Sequence, residues 1–252
     1  MNITVEALVL RTVNYKESDK ILTVLTRDRG CLTVKATGAR RKGSRLGSCT
    51  QLFCHSELSL YERDGRFTLD EGDVRNQFYG LSMDIEKMAL ASYFAQVLQG
   101  EPEDGPGNPD VLRLALNSFY ALEKGLYPQA VIKAAFELRY MALNGYAPDL
   151  AACASCGRKG QGGYIDIASG LLVCPTCIRP TGYGMRPMDE LALEAARYIL
   201  GCDLKRLFSF KLPEKSMAFL ARFCEDYLLE KTEQSYKTLD FYKSLFTREE
   251  PI

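Results

Sequence analysis

The sequence predicts an α+β chain of more than one domain. A small closed β-barrel of the OB type opens it, and an all-helical domain follows, carrying an inserted four-cysteine module like a zinc ribbon. Three observations lead there. Five short β-branched, partly alternating segments fall within residues 3–74, which suits a small closed sheet. From Leu81 the apolar period lengthens from two to about 3.6 residues, the helical repeat. Cys153, Cys156, Cys174 and Cys177 form C-x2-C-x17-C-x2-C, the spacing of a structural zinc site. The expected division is a barrel over 1–79 and a helical domain over 80–252, with the insert at 150–181.

Residues 3–13 and 20–26 read as strands separated by a polar turn at 15–19. Asp28-Arg29-Gly30 is a tight-turn signal leading into a third strand over 31–36, which predicts a hairpin. Residues 38–48, rich in Gly, Ser and basic side chains, read as a mobile charged loop. Alternation resumes over 51–61, with Leu52, Cys54, Ser56, Leu58 and Leu60 on one face. Arg63-Asp64-Gly65 then turns the chain into a fifth strand at 66–74.

Leu81, Ile85, Met88, Phe94, Val97 and Leu98 make one helical stripe that ends at Gly100. Residues 101–109, with three prolines and two glycines, read as an exposed loop before a helix over 111–122 capped by Asp110. Pro128 suits the first turn of the next helix, with Val131, Ile132, Ala135, Phe136, Leu138 and Leu143 on its apolar face and Asn144-Gly145 as its stop. Further helices are expected at 189–200, 214–230 and 236–246.

In the cysteine module, two residues between cysteines let a tight turn aim both sulfurs at one ion, and the second pair closes a tetrahedron. A closed shell leaves no position for a reactive water, so the Zn2+ expected here is structural. Residues 164–167 and 170–173 read as a hairpin between the knuckles. Two disulfides, or thiols that bind nothing, are the alternatives. Nine cysteines, an odd number with five scattered singly, fit a reducing compartment better than a secreted framework. The amino terminus lacks a signal-peptide pattern and no stretch approaches a membrane span, so a cytoplasmic protein with no membrane partner is expected.

The 32 basic and 32 acidic residues cancel, but not locally. Residues 29–56 hold six basic side chains (Arg29, Lys35, Arg40, Arg41, Lys42, Arg45) and no acidic one, whereas residues 101–104 and Glu249-Glu250 are acidic. A basic loop on a small barrel, with Lys16, Lys20, Arg27 and Arg29 on adjacent turns and strands, offers a groove for a nucleic-acid backbone; a solvated turn is the alternative. Tyr15, Phe53, Tyr61 and Phe67 compete between stacking and filling the barrel, and Tyr15 is the best candidate for stacking. The single histidine, His55, removes most histidine-dependent schemes, and no phosphate-binding loop is present. The chain reads as a binder and not an enzyme. The residues alone leave open DNA, an RNA- or transcription-associated factor, a protein-interaction scaffold whose helical aromatics line a groove, and a metal-dependent nuclease.

The order Tyr15-x-Glu17-x-Asp19, Leu25-Thr26, Arg29-Gly30, Lys35-x-x-Gly38-Ala39-Arg40-Arg41 resembles the bacterial recombination mediator RecO family. Leu58-Ser59-Leu60-Tyr61-Glu62, Ala147-Pro148-Asp149-Leu150 and the four cysteines continue the resemblance over nearly the whole chain. It implies an OB domain and a helical domain that bind single- and double-stranded DNA and anneal complementary strands. It also implies contact with the single-strand-binding protein SSB through that protein's acidic tail, and cooperation with RecR in loading RecA, in the cytoplasm at the nucleoid. The positions matching the family's DNA-binding loop and strand are Lys35, Arg40, Arg41, Lys42 and Arg45; Arg29, Lys16 and Tyr15 join them on the reading of the residues. The partner-contact residues carry no transferable motif.

Overall fold

The computed structural model describes residues 1–160, 162–178 and 184–246. The end of the expected insert, 179–181, and Glu249-Glu250 lie outside the described residues. Five strands, β1 (Asn2–Tyr15), β2 (Asp19–Thr26), β3 (Cys31–Ala36), β4 (His55–Arg63) and β5 (Arg66–Asn76), close into a barrel in the order β1-β2-β3-β5-β4. All neighbours are antiparallel except β3 and β5, whose parallel pairing sets Val34 beside Phe67 and Lys35 beside Thr68. Strand alternation fills the interior with Val9, Leu22, Val24, Leu32, Val34, Leu58, Leu60 and Leu69, the side chains a small barrel needs to exclude water. Asp64 and Gly65 both take positive φ, the two-residue hairpin geometry that follows the twist of the strands.

Residues 38–54 bridge β3 and β4. They differ from the mobile loop expected, because successive turns hold them: the N–H groups of Arg41, Ser44, Gly47 and Gln51 donate to the carbonyls of Gly38, Arg41, Ser44 and Ser48. Ala39 and Cys49 are buried in the barrel core and Leu46 packs against it. β4 accordingly begins at His55 and not at Gln51.

After β5 the expected single helix is broken. A 3-10 turn (Tyr79–Met83) precedes α1 (Ile85–Leu98), and Asp84 accepts from the N–H groups of Glu86 and Lys87. Asp84 restarts the helix, so the stripe loses phase and Ile85 faces solvent. In α2 (Pro109–Lys124) the side chain of Asn108, and not Asp110, takes the capping position by accepting from the Asp110 N–H. Pro109 then sits in the first turn, where its missing N–H costs nothing.

The chain forms two compact units, one of residues 1–124 with those from 236 onward and one of residues 125–235. The first holds the barrel, α1, α2 and α6 (Lys237–Ser244). The second holds α3 (Gln129–Leu143), α4 (Glu190–Gly201), α5 (Glu214–Thr232) and a small sheet. That sheet, ordered β7-β6-β8, contains the expected hairpin as β6 (Gly162–Asp166) and β7 (Leu171–Val173), plus β8 (Met185–Asp189). β8 went unread because Met185-Arg186-Pro187-Met188-Asp189 has no β-branched residue. Asp189 ends it and caps α4 by accepting from the Ala192 N–H. Within α3, Lys133 lies buried between Glu137 (2.6 Å) and Glu225 (2.8 Å).

Candidate nucleic-acid interface and metal centre

The parallel β3–β5 seam makes one wall of a groove of about 530 Å³, lined by Tyr15, Thr33, Lys35, Arg66, Phe67 and Thr68. Tyr15 is 43% exposed and lies 5.5 Å from Lys16 Nζ and 6.0 Å from Lys35 Nζ, measured from the ring centre. Of the other barrel aromatics, Phe53 and Phe67 are buried while Tyr61 is exposed. Phe53 meets Phe119 edge to face at 5.0 Å, a packing role.

One buried carboxylate ties the basic loop to this groove. Asp19 accepts from the Gly38 N–H at 2.8 Å and pairs with Lys35 at 3.3 Å. The Gly38 hydrogen bond, with help from Lys35, holds its pKa below the ordinary aspartate value. Gly38 takes φ +69°, a left-handed conformation that glycine adopts without the penalty of a Cβ. Arg40 docks onto the β1–β2 turn, its N–H donating to Ser18 O and its guanidinium to the carbonyls of Lys16 and Glu17. Lys20 is directed elsewhere, donating to Thr50 O at 3.2 Å.

The sequence-derived candidates thus separate. Tyr15, Lys16, Lys35 and Arg40 are drawn together by Asp19 and the β1–β2 turn, while Arg41, Lys42 and Arg45 project from the adjoining turns and are exposed. Arg29 is already engaged: it contacts Glu62 at 3.1 Å and Asp104 at 2.6 Å and lies 5.0 Å from the Phe67 ring centre. Its charge is met inside the protein. The loop expected to be simply exposed supplies that partner. The Pro102 carbonyl accepts from the Cys31 N–H, the Asp104 N–H donates to Cys31 O, and Glu103 accepts from the Thr33 hydroxyl. Glu103 and Asp104 therefore also line the groove. Arg66, Thr33 and Thr68 were missed by sequence reasoning; the available signal was the barrel order, which sets the start of β5 beside β3. His55 is a structural residue, with its Nε2 3.0 Å from Glu6 Oε1 and its pKa lowered by burial.

In the second unit, Cys153, Cys156, Cys174 and Cys177 converge until their sulfurs all lie within 4.8 Å of one another. The tetrahedron edge for zinc and four thiolates is about 3.8 Å, and the Cys156 and Cys174 sulfurs are 3.8 Å apart. Each knuckle is a turn: the Gly157 N–H donates to Cys153 O, and those of Cys177 and Ile178 to Cys174 O. The Cys174 N–H donates to Cys153 Sγ at 3.3 Å, which lowers the Cys153 pKa. The Thr176 hydroxyl, 3.0 Å from Cys174 Sγ, draws that thiol down to about 6, whereas the adjacent Cys174 sulfur pushes Cys177 up to about 12. Four sulfurs this close cannot all ionise without a cation among them. The donor set therefore fits a metal ion. Three donors fasten the module to its helices: Arg197 to Leu150 O, Tyr227 to Tyr146 O and Lys231 to Ala168 O.

Among the described residues no helix is long and apolar enough to cross a membrane. Residues 1–78 match the family model described as recombination protein O N terminal, and residues 82–240 the model described as recombination protein O C terminal. A DNA repair protein RecO from Acetivibrio thermocellus is 30% identical over 239 residues, covering 94% of this chain and 95% of the relative. The protein of that name from Symbiobacterium thermophilum is 30% identical over 246 residues, covering 96% of each. That from Halalkalibacterium halodurans is 28% identical over 240 residues, covering 95% of this chain and 94% of the relative. Barrel, helices, cysteine cluster and both matched regions agree, and the chain belongs to the RecO family of DNA repair proteins.

Proposed function

We propose that the protein is a non-catalytic recombination mediator. It binds single- and double-stranded DNA on the barrel, anneals complementary strands and, with RecR, assists the loading of RecA onto DNA coated by SSB. The observation that carries this reading is the set of exposed cations without ion-pair partners among the described residues, Lys16 on the β1–β2 turn and Arg41, Lys42 and Arg45 on the turns after β3, together with the exposed ring of Tyr15, which lies beside Lys16 and lines the groove. Phosphates supply what those cations lack, and Tyr15 offers one base a stacking face. Backbone-dominated binding leaves base edges free, and screening two phosphate backbones lets complementary strands approach. No step in this role makes or breaks a bond. Arg29 serves on this reading as a brace for the β2–β3 turn.

The metal is Zn2+ in this reading, because four thiolates in a closed shell select zinc over hard cations and leave no reactive position. Cys153, Cys156, Cys174 and Cys177 hold it, and its contribution is to the fold of the module. For the SSB tail, an open apolar groove of about 860 Å³ in the second unit is the candidate, with Leu126, Tyr127, Val131, Phe210 and Met217 on its walls and Lys211 at hand for a carboxylate. The protein acts in the cytoplasm at the nucleoid.

The test is annealing of complementary oligonucleotides, bare and SSB-coated, across a salt series without ATP. Acceleration that weakens with salt supports the reading. Failure on both, with folding and zinc content verified, overturns it, and preferential binding of RNA in competition points to the transcription-associated alternative.

A further inference from the structure

A second cleft lies farther back along β1, the strand whose last residue, Tyr15, lines the first groove. In the ring of strands, β1 is separated from β3 and β5 by β2 on one side and β4 on the other. Midway along β1 the pairing with β2 slips between Val9 and Arg11, and a bulge of this kind re-aims the side chains that follow. Leu10 is buried, and Arg11 emerges into a cleft of about 490 Å³ whose polar lining includes Thr12, Ser92, Gln96, Lys237 and Thr238.

Three features of this cleft point to an anion. No carboxylate lines it, in contrast to the strand groove with Glu103 and Asp104. Arg11 and Lys237 form no ion pair among the described residues. Its polar atoms are also incompletely used: Thr12 Oγ1 is buried without a hydrogen-bond partner. Gln96 spends its carbonyl oxygen on the Thr238 hydroxyl at 2.6 Å and the Thr238 N–H at 3.3 Å. That pair fixes the amide so that its NH2 remains to donate, beside Lys237 at the start of α6.

We infer that Arg11, Lys237, Thr12 and Gln96 form a second phosphodiester-binding site, which holds the backbone of a second DNA strand while the first occupies the groove across β3 and β5. A backbone is the fitting ligand because the only ring in the lining, Phe53, is buried and packed on Phe119. No stacking face is offered, so the bases of the second strand stay free to pair. Two strands held in separate clefts are each screened, and their bases are left free to meet. The inference rests on the DNA-binding reading above.

The test uses the full-length, metal-loaded protein and a 4-thiothymidine-substituted thymidine oligonucleotide, with crosslinked peptides mapped after irradiation. Crosslinks in two separate sets, one from residues 15–45 and 66–68 and one from 8–14, 92–99 and 237–240, are expected. Crosslinks confined to the first set overturn the second site and leave the DNA-binding reading standing; none in either set overturns both.

A second measurement is the stoichiometry and salt dependence of oligonucleotide binding by Arg11→Gln/Lys237→Gln. The variant should fall from two strands bound to one, lose at least tenfold in annealing rate, and change first-strand affinity by less than about threefold. Arg11→Lys/Lys237→Arg should restore both the second bound strand and the annealing rate. Two-strand binding and undiminished annealing in a folded Gln variant would overturn the inference.

Discussion

The carboxylate of Asp19 accepts the backbone N–H of Gly38 at 2.8 Å, joining the first residue of β2 to the turn that leaves β3. One buried acid thereby sets where the basic turns begin. Replacing Asp19 by Asn keeps the shape and removes the charge that holds both Gly38 and Lys35. Asp19→Asn should lower the melting temperature by a few degrees and weaken single-strand binding, because Arg40, Arg41 and Lys42 lose their common anchor. Asp19 has its pKa lowered in the fold, so its contribution is complete above the ordinary aspartate value of 3.8 and disappears as pH falls below it. In Asp19→Asn that acid-limb loss should be smaller; an unchanged acid limb would contradict the assignment.

Charge reversal at Arg40, Arg41 and Lys42 tests the loop as a phosphate binder. Each phosphate contact on a single strand contributes about 0.7 to the log–log salt slope. Removing three should flatten it by about 2 and slow annealing, with a small fall in the thermal transition from the loss of the Arg40 bonds to Lys16 O and Glu17 O. Arg29→Gln should behave in the opposite way. It breaks the contacts to Glu62 and Asp104, and so should loosen the β2–β3 turn with little effect on the salt slope.

Metal removal should unfold the cysteine module and leave the barrel. Metal analysis is expected to give one zinc per chain, and Cys174→Ser to abolish it. Chelation should increase amide exchange over residues 150–178 while β1–β5 stay protected. Ligands must be deprotonated to bind, so metal release should rise as pH falls. Full retention of structure and DNA binding in a metal-free protein would remove the structural role.

The buried cation Lys133 offers a clean stability test. Burial works to lower its pKa, but Glu137 and Glu225 outweigh that and carry it up to about 12. Its contribution is thus fully present below the ordinary value of 10.5 and is lost as pH rises through about 12. Lys133→Met leaves the buried Glu137 and the half-buried Glu225 without their cation and should cost about 3–5 kcal/mol in chemical denaturation. Restoring neutrality with Lys133→Met/Glu137→Gln/Glu225→Gln should recover most of that loss.

Gly72 in β5 is tight against the basic-turn segment: a Cβ there would lie 2.6 Å from Cys49 Sγ and 3.0 Å from a Leu58 methyl. Gly72→Ala should destabilise the barrel by about 1–3 kcal/mol through overpacking. Adding Cys49→Ala should relieve much of it in a double-mutant cycle, whereas strict additivity would show that the clash is absent.

By itself the sequence determined what neighbouring residues decide together. Strand alternation, the Asp64-Gly65 hairpin and the helical period are all written within a few residues of one another. The cysteine knuckles are too, because two intervening residues suffice to aim two sulfurs. The barrel, most helices and the converging set of four cysteines were therefore legible, and so was the exposure of Tyr15 and of the cations at 40–45. Tertiary structure decided what depends on residues far apart. Arg29 looked like one more cation in a basic run until Asp104, 75 residues away, was found against it. β8 carries no local strand signal and exists because β6 presents an edge to pair with. The cleft at Arg11 needs Thr238 to orient Gln96 across 142 residues. Local periodicity reports which face a residue turns inward, but the identity of the group it meets is fixed by burial and hydrogen bonding over the whole chain, and only the folded molecule expresses that.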